Sequence, residues 1–464
     1  MSESSRSISE RLDALRFGRK HRRVLTGSGI GWALDAMDVG LISFVIAALV
    51  EHWGISKGES GLIASIGFAG MAVGASLGGL LADRLGRRQV FALTLLVYGL
   101  ATGASALVGG IALLLVLRFF VGLGLGAELP VASTYMSEFA PARIRGRVIV
   151  ILEAFWAVGW TAAAVIGYFV VPLGPDGWRW AFALGAVPAV YALIVRWGLP
   201  ESPRWLAGRG RTAEAERIVA DFERASGAYS APAQTGPSAA SAAPPPGAAP
   251  SAAVKPAAAP AALARGGRLL ALWSREFRLR TLSLWTVWFC VNFAYYGAFI
   301  WIPSILVDAG FSLVRSFGFT LLITLAQLPG YAVAAWVIEK WGRRLTLSVF
   351  LLGSAASAMV FGTVHEVPAI IASGMALSFF NLGAWGALYA VTPELYPTSL
   401  RGTGSGWAAG VGRIASIVAP LIVPVMLVAG GSALTFGVFA VFFAAAAAAA
   451  WGLAEFRGKA LDDR

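Results

Sequence analysis

Apolar runs of bilayer-spanning length, about 20 residues, alternate along the chain with short polar segments rich in arginine. Twelve such runs, at roughly 24–50, 60–82, 90–109, 111–136, 148–172, 179–200, 281–307, 316–338, 345–364, 367–393, 402–428 and 431–454, predict twelve transmembrane helices. A helix is the expected form because it satisfies its own backbone hydrogen bonds where lipid offers none. Six runs precede a long middle segment and six follow it. The pattern therefore predicts an all-α integral membrane protein: a tail (1–23), a six-helix bundle (24–200), a loop (201–280), a second six-helix bundle (281–454) and a second tail (455–464). The loop opens with a charged amphipathic stretch, Pro200 to Arg224, and then becomes "APAQTGPSAASAAPPPGAAPSAAVKPAAAPAA". That Ala/Pro/Ser/Gly composition cannot bury a core and reads as a disordered linker.

The halves repeat one another. "SEFAPARIRG" (137–146) and "PELYPTSLRG" (393–402) share Glu138/Glu394, Pro141/Pro397, Arg145/Arg401 and Gly146/Gly402, each pair 256 positions apart (394 − 138). The same offset relates Asp83 to Glu339, Gly86 to Gly342, Arg87 to Arg343 and Arg88 to Arg344. One shift holding after both the second and the fourth span of each half implies two parallel six-helix repeats, the construction of rocking-bundle transporters.

Composition agrees with the pattern: 57% of the 464 residues are hydrophobic and 13% charged, and mean hydropathy is +0.71. The net charge of +12 raises the question of nucleic acid, but the arginines fall in alternate inter-span loops. Arg84, Arg87, Arg88, Arg143, Arg145, Arg147, Lys340, Arg343 and Arg344 occupy one set, against Lys57, Arg179 and Arg315 in the other. The positive-inside rule accounts for this, puts both termini in the cytoplasm and leaves no nucleic-acid partner to invoke. The basic N-terminus lacks the apolar core and cleavage site of a signal peptide. One cysteine, Cys290, allows no internal disulfide, and His21, His52 and His365 lie far apart. No metal-ligand spacing, nucleophile–base pairing or cofactor motif is present, so enzymatic function, metal and cofactor are not expected.

Among the charges inside the apolar runs, one stands out. Arg413 lies in the otherwise chargeless run from Gly402 to Val428, 12 residues beyond Arg401. That is about 18 Å of helix, close to the bilayer midplane. Asp35 lies 12 residues beyond Arg23 at the same depth, and Asp38 shares its helix face. Charges at this level cannot face lipid and imply a polar central cavity. Trp288, Asn292, Tyr295 and Tyr296 share roughly one face of the seventh run; Gln327 and Tyr331 are four apart on the eighth, and Trp385 and Tyr389 four apart on the tenth. Such stripes commonly serve interhelical packing. Beside an arginine they also suit a flat aromatic anion.

Several motifs carry a family resemblance. "GGLLADRLGRRQV" (78–90), with its weaker copy "AWVIEKWGRRLTL" (335–347), resembles the loop motif of the major facilitator superfamily, and "LRFFVGLGLGAELP" (117–130) resembles its fourth-span motif. The resemblance implies a cytoplasmic gate built from Asp83, Arg87, Glu138, Arg145, Glu339, Arg343, Glu394 and Arg401, in which acids and arginines latch one state and release another. "PESPRWL" (200–206) resembles the sugar-porter motif, yet "WFCVNFAYYGAFIWIP" lacks the paired glutamines expected of sugar carriers.

"GWALDAMDVGLISFVIAALV", "TLAQLPGYAVAAWVIEK" and "FFNLGAWGALYAVTPELYPTSLRGTGSG" are similar to the bacterial niacin (nicotinate) uptake permeases, relatives of animal organic-ion transporters, over 24–454 apart from the linker. The resemblance implies residence in the bacterial inner membrane and import of nicotinate, with protons, by alternating access. It implies a small aromatic carboxylate, protons and lipid as partners, and a monomer. The position matching Arg413 is basic in anion carriers of that group, and Trp288, Tyr295, Tyr296 and Tyr331 fall where its binding residues line the cavity. The acid matching Asp38 pairs with the arginine matching Arg118 in related proton symporters, which makes Asp38 the expected proton carrier, with Asp35 and Glu128 as alternatives. A permanent Asp38–Arg118 ion pair is the competing reading. A benzoate-like acid is the alternative substrate. A transporter-like sensor is the alternative class, though it would need an appended signalling domain that the linker does not offer.

Overall fold

The computed structural model describes residues 7–226 and 265–454, and all regular structure among them is helical. The linker expectation therefore lies almost wholly outside the described residues, as do 1–6 and 455–464. The first five spans are Arg19–Trp53, Lys57–Leu85, Arg87–Ser105, Ile111–Phe139 and Arg145–Phe169. The sixth comes in two pieces, Gly177–Leu184 and Val187–Gly198, with Pro188 near the start of the second. The seventh is Arg278–Asp308, and the eighth is again in two pieces, Leu313–Leu325 and Gln327–Trp341. The ninth and tenth are Arg343–Thr363 and Val367–Val391. The eleventh and twelfth run within Thr398–Ala450 and part at Gly430 and Gly431, where the backbone leaves helical angles. Twelve spans thus occupy the twelve predicted runs. Large apolar side chains such as Val190, Ile194 and Trp197 of the sixth span are exposed. Lipid rather than water is the solvent such a surface requires.

The repeat shows in detail. Gly86 and Gly342, equivalent in sequence, have φ of 103° and 87° and each ends one helix and begins the next. Positive φ is open to glycine at little cost, so the same residue recurs at the same corner. Beyond the corner, Arg87 Nε donates to Glu138 at 3.1 Å and Arg343 Nε donates to Glu394 at 3.2 Å. Within the first half, glycines let the second and fourth spans touch backbone to backbone. A Cβ added at Gly122 would come within 1.9 Å of the Gly67 carbonyl, and one at Gly126 within 2.0 Å of the Met71 carbonyl. Small residues are what permit such close helix contact in lipid.

The arginine-rich loops gather on one face. Glu201, from the sugar-porter-like motif, accepts from the backbone N–H groups of Arg87 and Arg88 and so caps the N-terminus of the third span. Asp13, on the short helix Ile8–Ala14, receives both Arg145 and Arg204. Arg11 engages Glu216 and Glu223 of Thr212–Ser226.

The two halves close on the opposite face. Lys57 Nζ meets Asp308 at 2.6 Å, Ser65 donates to the Ile417 carbonyl at 2.7 Å, and Phe44 meets Phe317 edge to face. In keeping with this, every residue from Asp35 to Leu49 and from Cys290 to Leu306 is buried. Nearer the basic face, Thr26 and Ile30 of the first span and Leu282 of the seventh are exposed.

Candidate functional site

Between the halves lies a partly enclosed cavity, lined by Trp32, Asp35, Val39, Met71, Leu125, Glu153, Trp156, Tyr295, Tyr296, Tyr331, Trp385, Tyr389 and Arg413. Arg413 reaches it because its neighbour Gly412 is pressed against Asn292 and Trp288, fixing the rotation of the eleventh span. The guanidinium Nη1 lies 3.5 Å from the Met71 sulfur, a soft contact with the other half, and the Tyr296 hydroxyl is within its hydrogen-bonding reach. Arg413 makes no ion pair among the described residues. It is a mid-membrane cation that is half-buried and faces a cavity.

The walls are aromatic. Trp385 and Tyr389 stack with centroids 5.6 Å apart, and Tyr295 sits edge-on to Trp385 at 5.7 Å and 4.9 Å from Tyr296. From the other half, Trp156 Nε1 donates to the Tyr295 hydroxyl at 3.1 Å, and Trp32 packs against Trp156 at 5.9 Å. Rings from both halves thus enclose one slot.

The structure divides the substrate-site residues expected from sequence. Arg413, Tyr295, Tyr296, Tyr331, Trp385 and Tyr389 line the cavity together. Trp288, Asn292 and Gln327 do not. Trp288 stands behind the wall, edge-on to both Trp385 and Tyr389, with its Nε1 bonded to Thr392. Asn292 is used up bonding the Trp288 carbonyl and Ser416. Gln327 is fully buried at the break in the eighth span, and neither end of its amide has a hydrogen-bond partner among the described residues. Sharing a helix face did not suffice, because a helix packed against several neighbours shows only part of any face to the cavity.

Glu153, Trp156, Trp32, Met71, Val39 and Leu125 also line the cavity and are not among the residues expected from sequence. Glu153 carried a legible signal as the one charged residue in the apolar run 148–172, and such a residue is a functional candidate by default. Trp156 follows it at helical spacing. The aliphatic and thioether lining carried no signal.

The acids form two groups. Asp38 is fully buried, 3.1 Å from Arg118 Nη1 and 2.6 Å from the Thr102 hydroxyl that donates to it. Arg118 lines a smaller adjoining space that shares Val39, Met71 and Leu125 with the central cavity. Asp35, on the cavity wall, neighbours Glu128 and Tyr98 in the interior of the first half. Among the gate residues, Arg87 bridges Asp83 and Glu138, and Arg343 holds Glu394. Arg145 pairs with Asp13, which the N-terminal helix brings to it. Glu339 is exposed, and Arg401 makes no ion pair among the described residues, its Nε buried without a partner.

Comparison with known proteins places this architecture. The family model described as "Sugar (and other) transporter" matches residues 26–463. The niacin transporter of Acinetobacter baylyi is 45% identical over 90% of this chain and 90% of its own length. A Bacillus subtilis protein provisionally named a niacin/nicotinamide transporter is 45% identical over 87% of this chain and 88% of its own. Among solved structures, the xylose transporter from E. coli in a partially occluded inward open conformation superposes with a TM-score of 0.73, covering 95% of this chain and 99% of that one at 18% identity. A multi-pass membrane protein of two repeated six-helix bundles around one central cavity, the chain belongs to the sugar (and other) transporter family of the major facilitator superfamily.

Proposed function

We propose that this transporter imports nicotinate together with protons, by alternating access, across a bacterial inner membrane, with both termini and the basic loops in the cytoplasm. The observation that carries the reading is a pairing of chemistries in the cavity: an arginine that makes no ion pair among the described residues, set in a slot of stacked aromatic rings. A guanidinium holds a carboxylate through two parallel hydrogen bonds, and ring faces hold a planar heterocycle. The names of the two 45%-identical relatives point to the same substrate.

Electrostatics favour coupling to protons. An anion entering a negative-inside cell works against about 2.3 kcal/mol per 100 mV, and a co-transported proton cancels that cost. The buried Asp38–Arg118 pair, next to the smaller space that adjoins the cavity, has the makings of a proton-carrying switch, with Asp35 and Glu128 as the alternative acids. Closure of the face bearing Lys57 and Asp308 fits an arrangement loaded or emptied from the basic side.

The test is uptake of labelled nicotinate into liposomes by the purified protein under an imposed pH gradient, acid outside. Accumulation that collapses with the gradient, and competition by unlabelled nicotinate but not by an organic cation, are expected. Preferential uptake of benzoate would shift the assignment to a wider aromatic-acid carrier. Failure to take up either acid would overturn the proposal.

A further inference from the structure

Glu153 has no place in the chemistry described so far. It sits one turn before Trp156 on the fifth span, is 4% exposed, and lines the central cavity. Among the described residues it makes neither an ion pair nor a hydrogen bond. An intramembrane carboxyl is costly to keep and is retained where it meets something. It does not meet Arg413, since the two form no ion pair although both line the same space. Tyr296 and Tyr389 line the same cavity as the acid and the arginine. The slot therefore holds a base from the second half and an acid from the first, with phenol rings on the same wall.

Asp35, the other acid on the wall, is differently placed. It has a second carboxyl, Glu128, and the Tyr98 hydroxyl as neighbours. The neighbours of Glu153 are aromatic. Tyr331, from the eighth span, lines the same cavity. What remains for it to bind is whatever occupies the cavity.

Building on the proposed function, we infer that Glu153 reads the ring nitrogen of the substrate while Arg413 holds the carboxylate. A pyridine nitrogen presents a lone pair in the ring plane and is a hydrogen-bond acceptor. A carboxyl can meet it only while one proton lies between them, so the bound state holds a proton between a Glu153 carboxyl oxygen and the ring nitrogen. Nicotinate carries both groups on one ring and would bridge an acid of the first half and a base of the second. Benzoate, which lacks the nitrogen, would leave the Glu153 carboxyl buried with no partner, the expensive outcome for a buried polar group. Glu153 is thus a specificity-determining residue, selecting an azine carboxylate over a plain aromatic acid.

The experiment measures binding of nicotinate, nicotinamide and benzoate to the purified full-length protein and to Glu153→Met and Glu153→Gln, each first checked for a monodisperse fold and an unchanged melting temperature. Wild type is expected to prefer nicotinate to benzoate by about tenfold or more. Glu153→Met, of similar length but with no donor, should lose that preference: nicotinate and nicotinamide weaken by about tenfold while benzoate changes by less than about threefold. Glu153→Gln, whose amide N–H can still donate, should keep most of it. Equal binding of nicotinate and benzoate by wild type overturns the inference without any variant. An unchanged ratio in folded Glu153→Met overturns it too. In both cases the proposed function survives, whereas absence of nicotinate binding to wild type overturns that function and this inference together.

Discussion

Removing the Arg413 side chain attacks the site at its electrostatic centre. In the structure the guanidinium is half-buried, has Met71 sulfur and the Tyr296 hydroxyl as near neighbours, and makes no ion pair among the described residues. An incoming carboxylate would therefore supply its charge compensation. At about 4 Å and an effective dielectric of about 20, the attraction is roughly 4 kcal/mol before desolvation is subtracted. Hydrogen bonds to charged groups contribute about 1.5–3 kcal/mol net, and truncating one partner of a buried pair costs about 2–5 kcal/mol. Arg413→Ala should therefore weaken nicotinate binding by about 2–4 kcal/mol, or roughly 30- to 1,000-fold. Arg413→Lys keeps the charge and loses the planar fork, so a smaller loss of about tenfold is expected. Nicotinamide, uncharged, should lose far less than nicotinate in both variants. Calorimetric titration of both ligands against folded wild-type and variant protein is the assay. A fall of less than about threefold for nicotinate, or a parallel fall for nicotinamide, would refute the reasoning and make Arg413 a structural residue.

Asp38→Asn replaces the buried acid by a neutral mimic of its protonated form. Accumulation driven by a pH gradient should fall at least about tenfold while substrate counterflow persists, and wild-type accumulation would move the proton site to Asp35 or Glu128. The Lys57–Asp308 pair closes the face opposite the basic loops, but both side chains are 42% exposed. It should contribute only about 0.2–1 kcal/mol, so Asp308→Asn should raise the population open on that face by no more than about fivefold. Spin-label distances between exposed positions 58 and 314 report that population, and a shift beyond about tenfold would show that the pair does more than a surface ion pair can.

Hydrophobic periodicity alone determined the number, order and approximate ends of the spans, because a bilayer penalises every break in an apolar helix and every charge within one. The twofold repeat was equally legible, since the corner glycines and the Arg–Glu pairs must satisfy the same geometry twice, and Gly86 and Gly342 do so with nearly the same φ. Arg413 announced itself because a charge in an apolar run has few explanations. Which aromatics face the ligand was decided only by packing. Trp288 and Tyr295 ride the same helix, yet the first is held behind the wall by Trp385, Tyr389 and Thr392 while the second lines the cavity. Asn292 and Gln327 read as polar cavity groups, but Asn292 turns to the Trp288 carbonyl and Ser416, and Gln327 is buried at the break in the eighth span. The partner of Arg145 depended on where the N-terminal helix docks, a long-range contact that no local pattern encodes. The placing of Glu153 in one cavity with Arg413 required the first half to be set against the second, and sequence spacing carries no information across that interface.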